Sequence, residues 1–146
     1  TGTAIKTMLQ IATPATRSII LIGWGYTLDI ASSAAAIVEL LQTDVAGTVT
    51  AHVAAGVQPQ DSTETASLMT LGTSATGYTC TSEGSTTATR TFDTVLVPLA
   101  VGSTDLTYSK VFAPGARPKV PVSKFLRVRT TFTAAVNMLT WVDWLE

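Results

Sequence analysis

Large apolar residues occupy every even position from Ile20 to Ile30: Ile20, Ile22, Trp24, Tyr26, Leu28 and Ile30. The odd positions between them carry Gly23, Gly25, Thr27 and Asp29. A period of two sends successive side chains to opposite faces, so this stretch predicts a β-strand with one buried face. Ile5, Thr7, Leu9 and Ile11 predict a weaker strand that ends at Thr13-Pro14. Ala36–Thr43 (AIVELLQT) has helical propensity with Ser33 as a cap. Its neighbours are strands, however, and we read it as a strand with Val38 and Leu40 inward. Residues 48–53 alternate Val49, Ala51 and Val53 with Thr48, Thr50 and His52.

From 61 to 91 the pattern changes, and 16 of 31 residues are Ser or Thr. This predicts long loops around short strands, one of them near 78–82. A strand resumes over 89–96, a turn follows at 102–105, and 106–112 is another strand. Pro114-Gly115 and the run from Pro118 to Pro121 predict a rigid, extended connection. Leu126, Val128, Thr130 and Phe132 share one face of a strand over 125–132, with Phe125, Arg127, Arg129 and Thr131 on the other. The last strand, 138–145, places Trp141 and Trp144 on opposite faces. The expectation is a single all-β domain over 1–146, an antiparallel, jelly-roll-like β-sandwich of about eight strands. A closed barrel is the alternative. The predicted core is Ile20, Ile22, Trp24, Leu28, Leu126, Val128 and Phe132.

Composition narrows the chemistry. Of 146 residues, 27 are Thr and 19 are Ala, and only 13% are charged, against about a quarter in an ordinary globular domain. A net charge of −1 gives no global attraction to nucleic acid or an anionic membrane. Asp29 in the middle of the apolar run 18–38, together with its period of two, argues against a membrane span. The single Cys80 excludes an intrachain disulfide. His52, the one histidine, has no acid near it in sequence, and a solvent-facing strand position is its expected role. The ten carboxylates are scattered with no pair spacing favoured. Asp61-Ser62-Thr63-Glu64 lacks the alternating oxygen ligands of a calcium loop. Gly23-Trp24-Gly25 lies inside a strand and is no phosphate loop. The reading is of a non-enzyme with no cofactor and no metal.

The charges are unevenly placed. Residues 18–89 hold six acids (Asp29, Glu39, Asp44, Asp61, Glu64, Glu83) and no Lys or Arg. Residues 110–129 hold six bases (Lys110, Arg117, Lys119, Lys124, Arg127, Arg129) and no acid. Two readings stand side by side. Either the halves neutralise each other within one chain, or acidic and basic patches meet between subunits or grip a partner. Apolar residues on the second strand faces (Ile19, Leu21, Ile37, Leu41) predict a homo-oligomer, since left exposed they would form a large patch. The candidate interface is the six bases together with Ile37 and Leu41.

The segments VELLQTDVAGTVTA (38–51), KVFAPGARPKVPVSKFLRVR (110–129) and TFTAAVNMLTWVDWLE (131–146) resemble small Thr/Ala-rich structural proteins of tailed phages that infect actinobacteria. More specifically, the chain resembles head decoration proteins with a jelly-roll-like sandwich. The resemblance implies a trimer or similar small oligomer on the outer capsid surface, bound to the major capsid protein. It carries no site motif. A carbohydrate- or receptor-binding module of a phage tail or fibre is the alternative function, with Trp24, Tyr26, Tyr78, Tyr108, Trp141 and Trp144 as candidate contacts.

Overall fold

The computed structural model describes residues 1–98 and 106–146, so the turn expected at 102–105 lies outside the described residues. The described residues form ten strands: β1 Ile5–Ala12, β2 Ile19–Leu28, β3 Ala36–Thr43, β4 Thr48–Ala51, β5 Gly77–Ser82, β6 Arg90–Val97, β7 Thr107–Val111, β8 Lys119–Val120, β9 Phe125–Thr131 and β10 Met138–Leu145. They form two antiparallel sheets. Sheet A has six strands in the order β4-β5-β1-β9-β3-β6, and sheet B has the order β10-β2-β7, with β8 also on β2. The fold is an all-β sandwich, as the alternating pattern predicts.

Ten strands exceed the expected eight or so, and β8 is the strand the sequence reading missed. Its two residues lie between Pro118 and Pro121, where proline punctuation reads as a connection. Lys119 and Val120 nevertheless pair with Ile20 and Ile19 of β2. Ala36–Thr43 is a strand between β9 and β6.

The core lies between the sheets. Trp24, Tyr26 and Leu28 of sheet B pack against Val38, Leu40, Leu126 and Val128 of sheet A. Three parts of the predicted assignment need correction, and one bulge explains them. Across β10, Asp143 stands opposite Gly23 and Trp144 opposite Leu21, which leaves Ile22 as an extra residue in β2. An inserted residue inverts the alternation on one side of it. Trp24, Tyr26 and Leu28 therefore face inward, but before the bulge the inward residues are Ile19 and Leu21, both fully buried. Ile20, predicted core, is 37% exposed, and Ile22 is only half-buried. Ile19 and Leu21, expected on an open second face, are core.

The two faces away from the core differ. On sheet A, Glu39 and Leu41 of β3 lie beside Arg129 and Arg127 of β9, and Thr7 and Gln10 of β1 complete the row. Thr7, Gln10, Leu41 and Arg127 are all buried there, because the segments after β3 and β5 fold back over this face. β5 makes that possible. Tyr78 pairs with both Leu9 and Thr50, while Cys80 and Ser82 pair only with β4. Thr79 between them has φ of 48°, a left-handed kink that a β-branched residue adopts only under constraint. Gly84, with φ of 62°, continues the turn under the Ala46 carbonyl, where a Cβ would overlap. On sheet B, Gln60 reaches the outer face at Asp143 of β10, at 3.3 Å, while Val111 and Leu139 of that face are largely exposed.

Candidate interaction surfaces

Three polar or apolar arrangements stand out, and the first closes the sandwich. Asp93 sits on β6, at the edge of sheet A, facing β2 and β7 of sheet B. Its Oδ2 accepts hydrogen bonds from Trp24 Nε1 at 3.0 Å and the Tyr108 hydroxyl at 2.7 Å. Its Oδ1 pairs with Lys110 Nζ at 2.8 Å. The Tyr108 ring lies 5.4 Å from Trp24 and 5.6 Å from Tyr26, in tilted and stacked arrangements. Burial works to raise the Asp93 carboxyl, but the bonds from Lys110, Tyr108 and Trp24 outweigh it and hold the carboxyl below the ordinary aspartate value. Burial, with Asp93 beside them, pushes the Tyr26 and Tyr108 hydroxyls up to about 12.

These shifts set a stability window. Asp93 is easier to ionise in the folded chain, so its contribution is present above the unfolded value, near pH 4. That contribution is lost as pH falls through the lower folded value. The tyrosines work in the opposite direction. Their contribution is complete below about pH 10 and is lost as pH rises through about 12. Tyrosinate absorbance and unfolding should therefore rise together in that alkaline window, and Tyr108→Phe should abolish part of the dependence. A tyrosine titration complete near pH 10 with the chain still folded would contradict the buried placement.

The second arrangement lies on the covered face of sheet A. Glu83 accepts from the Thr7 amide and the Thr7 hydroxyl, each at 2.6 Å, and pairs with Arg127 at 3.5 Å. The Arg127 guanidinium also donates to the carbonyls of Val45, Glu83 and Ser85. Arg129 pairs with Glu39 at 3.0 Å and donates to the Thr86 carbonyl. Gln10 bridges Gly47 through both amide atoms and reaches the Ala75 carbonyl at 2.8 Å. The loops are thus tied down by donors reaching up from the sheet.

The candidate interface residues therefore separate. Arg127 and Arg129 are buried in this network, and Leu41 is fully buried with them; none of the three is an accessible contact. The physical reason is the pairing of β9 with β3 and the loops over it, which consume the charge split inside the chain. Lys124 pairs with Asp44 at 2.8 Å and Lys110 with Asp93. Four of the six bases are thus neutralised intramolecularly, three of them by acids of the acidic half, as the first of the two charge readings has it. Arg117, half-buried, and Lys119, exposed, form no ion pair among the described residues. Ile37 remains 39% exposed at the end of the sheet A row.

The third arrangement, the outer face of sheet B, was not legible from the charge pattern. The pairing registers place Leu139, Thr27 and Thr107 in one row, and Trp141, Gly25 and Ser109 in the next. Asp143, Gly23 and Val111 follow, then Leu145, Ile20 and Lys119. Val111 is 77% exposed, Leu139 67% and Leu145 47%. The Trp141 indole lies across Gly25, where a Cβ would overlap both the ring and the Tyr108 carbonyl oxygen. Glycine is required there because another backbone and a ring both close on it. As parity predicts, Trp144 turns the other way and packs against the core. The sequence signal for this face was the odd set Leu139, Trp141, Asp143 and Leu145 in β10.

No family model, curated protein or solved structure matches the chain. His52 lies against Tyr78, with ring centroids 5.1 Å apart, and burial lowers its pKa. Cys80 is buried, and burial pushes its thiol up. Among the described residues no group of three or more His, Cys, Asp or Glu is placed to hold a metal ion. No described helix is long and apolar enough to cross a membrane.

Proposed function

We propose that this chain is a structural virion protein that decorates the outer surface of a phage head. It binds the major capsid protein there and stabilises the shell without catalysing a reaction. The observation that carries this reading is the open outer face of sheet B, where Val111, Leu139, Leu145 and Ile20 are exposed together. Several exposed large apolar side chains on one sheet face mark a surface built to be covered. The likeness of segments 38–51, 110–129 and 131–146 to phage decoration proteins supports it, and with it a jelly-roll-like strand order and a small closed oligomer. Copies joined as one oligomer engage neighbouring shell subunits at high effective concentration, so each contact can be modest. Binding the assembled lattice and not its dispersed subunits raises the cost of local opening.

Arg117 and Lys119, the two bases of the 110–129 stretch left outside ion pairs, are the electrostatic contacts of this reading, with the shell or with a neighbouring copy. The double variant Arg117→Glu/Lys119→Glu should co-sediment with phage heads less than the native chain, and the difference should shrink as salt screens it. The deciding comparison is survival of heads under heat or osmotic shock with and without the protein. Equal survival would defeat the decoration reading. The exposed-face position of Trp141 favours a second reading, a carbohydrate- or receptor-binding module, which saturable binding of the protein to host cell-wall glycan would promote.

A further inference from the structure

We propose that the outer face of sheet B is the contact between two copies of this chain, packed face to face about a two-fold axis parallel to the strands. This rests on the reading of the chain as a self-associating structural protein and names the surface involved. The face is self-complementary in charge. Its β10 edge carries Asp143, whose Oδ1 accepts a hydrogen bond from Gln60 Nε2 at 3.3 Å within the chain, and its β8 edge carries Lys119, on adjacent rows and on opposite sides of β2. A two-fold along the strands exchanges the edges, so β10 of one copy lies over β7 and β8 of the other. Asp143 then comes over Val111 of the second copy, one row from its Lys119, within reach of the long lysine stem. The same operation sets Leu145 over that stem and beside Val111, and brings Ile20 to its own copy near the axis.

The floor of the face suits close approach of a second sheet. Gly23 and Gly25 add no side chains along β2, and the Trp141 ring covers Gly25. Sheets pack about 10 Å apart when the facing residues interdigitate, and here the relief comes from the outer rows, Leu139 and Leu145 on one side and Val111 on the other. The extent of the face fixes the strength. Three strands by about eight residues measure roughly 15 by 25 Å, about 400 Å² per copy, which is below a standard specific interface and makes the contact a weak, transient one. The dimer should accordingly dissociate in the high micromolar range.

Analytical ultracentrifugation of the purified chain, without phage heads, tests this. The native protein should pass from monomer to dimer as concentration rises through the high micromolar range. Val111→Asp, at a position 77% exposed and so harmless to the fold, sets an acid over Asp143 of the second copy and should weaken association roughly tenfold or more. Lys119→Glu and Asp143→Lys should each weaken it, and the double swap Lys119→Glu/Asp143→Lys should restore it. A monomer at all concentrations, a trimer, an unaffected Val111→Asp variant or a double swap that fails to recover would each overturn the contact. A monomer whose tryptophan emission shifts saturably with a neutral β-linked tetrasaccharide would overturn it too and give the face to a glycan. A monomer that still co-sediments with heads would overturn the contact alone and leave the decoration reading standing.

Discussion

Trp24→Ala should destabilise the chain by roughly 3–5 kcal/mol, the range for deleting a large buried aromatic side chain. The indole is 1% exposed, and its removal does more than leave a cavity. Tyr108 loses the ring it packs against at 5.4 Å, and Asp93 loses the 3.0 Å bond from Nε1. Trp24→Phe separates the two contributions. It keeps most of the apolar volume and drops the donor, so the expected loss is about 1–2 kcal/mol. If the hydrogen bond matters as described, Trp24→Phe and Asp93→Asn should be non-additive, because they remove two ends of one contact. Asp93→Asn should also flatten the acid limb of the stability profile, since the carboxylate is what titrates there. Urea unfolding of the native chain, the three single variants and the Trp24→Phe/Asp93→Asn double variant measures all of this. A Trp24→Ala loss below about 1 kcal/mol would place the indole outside the core.

How much of this was visible in the sequence depends on where the backbone is regular. Over β9 the alternation is unbroken, and Leu126, Val128 and Phe132 face the core as read. In β2 the same rule works from Trp24 to Leu28 and fails at Ile20, because the bulge at Ile22 inverts the faces. A bulge adds one residue without a composition signal, and here every position from Ile19 to Ile22 is apolar, so either register satisfies the pattern. The charge split was visible, but its resolution was not. Arg127 and Arg129 have the composition of a surface patch, and only the pairing of β9 between β1 and β3, with loops over it, makes them interior. Asp93 was one carboxylate among ten until β6 and β7 brought it to Trp24, Tyr108 and Lys110. Long-range pairing of this kind leaves no local trace in the chain.

Arg127→Ala should cost about 3–5 kcal/mol, the range for removing one partner of a buried ion pair. The side chain is fully buried and reaches the Glu83 carboxylate and the carbonyls of Val45, Glu83 and Ser85. Alanine leaves those acceptors without a donor beneath the loops. Glu83 keeps its two bonds from Thr7, but its charge is no longer compensated. The penalty is shared between the uncompensated Glu83 carboxylate, which is partly exposed, and the three carbonyls that lose their donor. It follows that Arg127→Met/Glu83→Gln should recover part of the stability, since a neutral, well-filled replacement for a buried pair often costs little. Glutamine at 83 still accepts from the Thr7 amide through Oε1, and its Nε2 donates to the Thr7 hydroxyl instead of accepting from it. The variant also separates the two outer faces of the sandwich. With the loops loosened, Leu41 and Ile37 come into the open on sheet A, beside a face of sheet B already apolar. Two unlike apolar faces on one chain permit open-ended association instead of a closed oligomer. Arg127→Ala should thus show faster proteolysis within 83–89 and scattering that grows with time, and the double variant should suppress both. Stability within about 0.5 kcal/mol of the native chain, with unchanged proteolysis, would mean that Arg127 is not what holds the loops over sheet A.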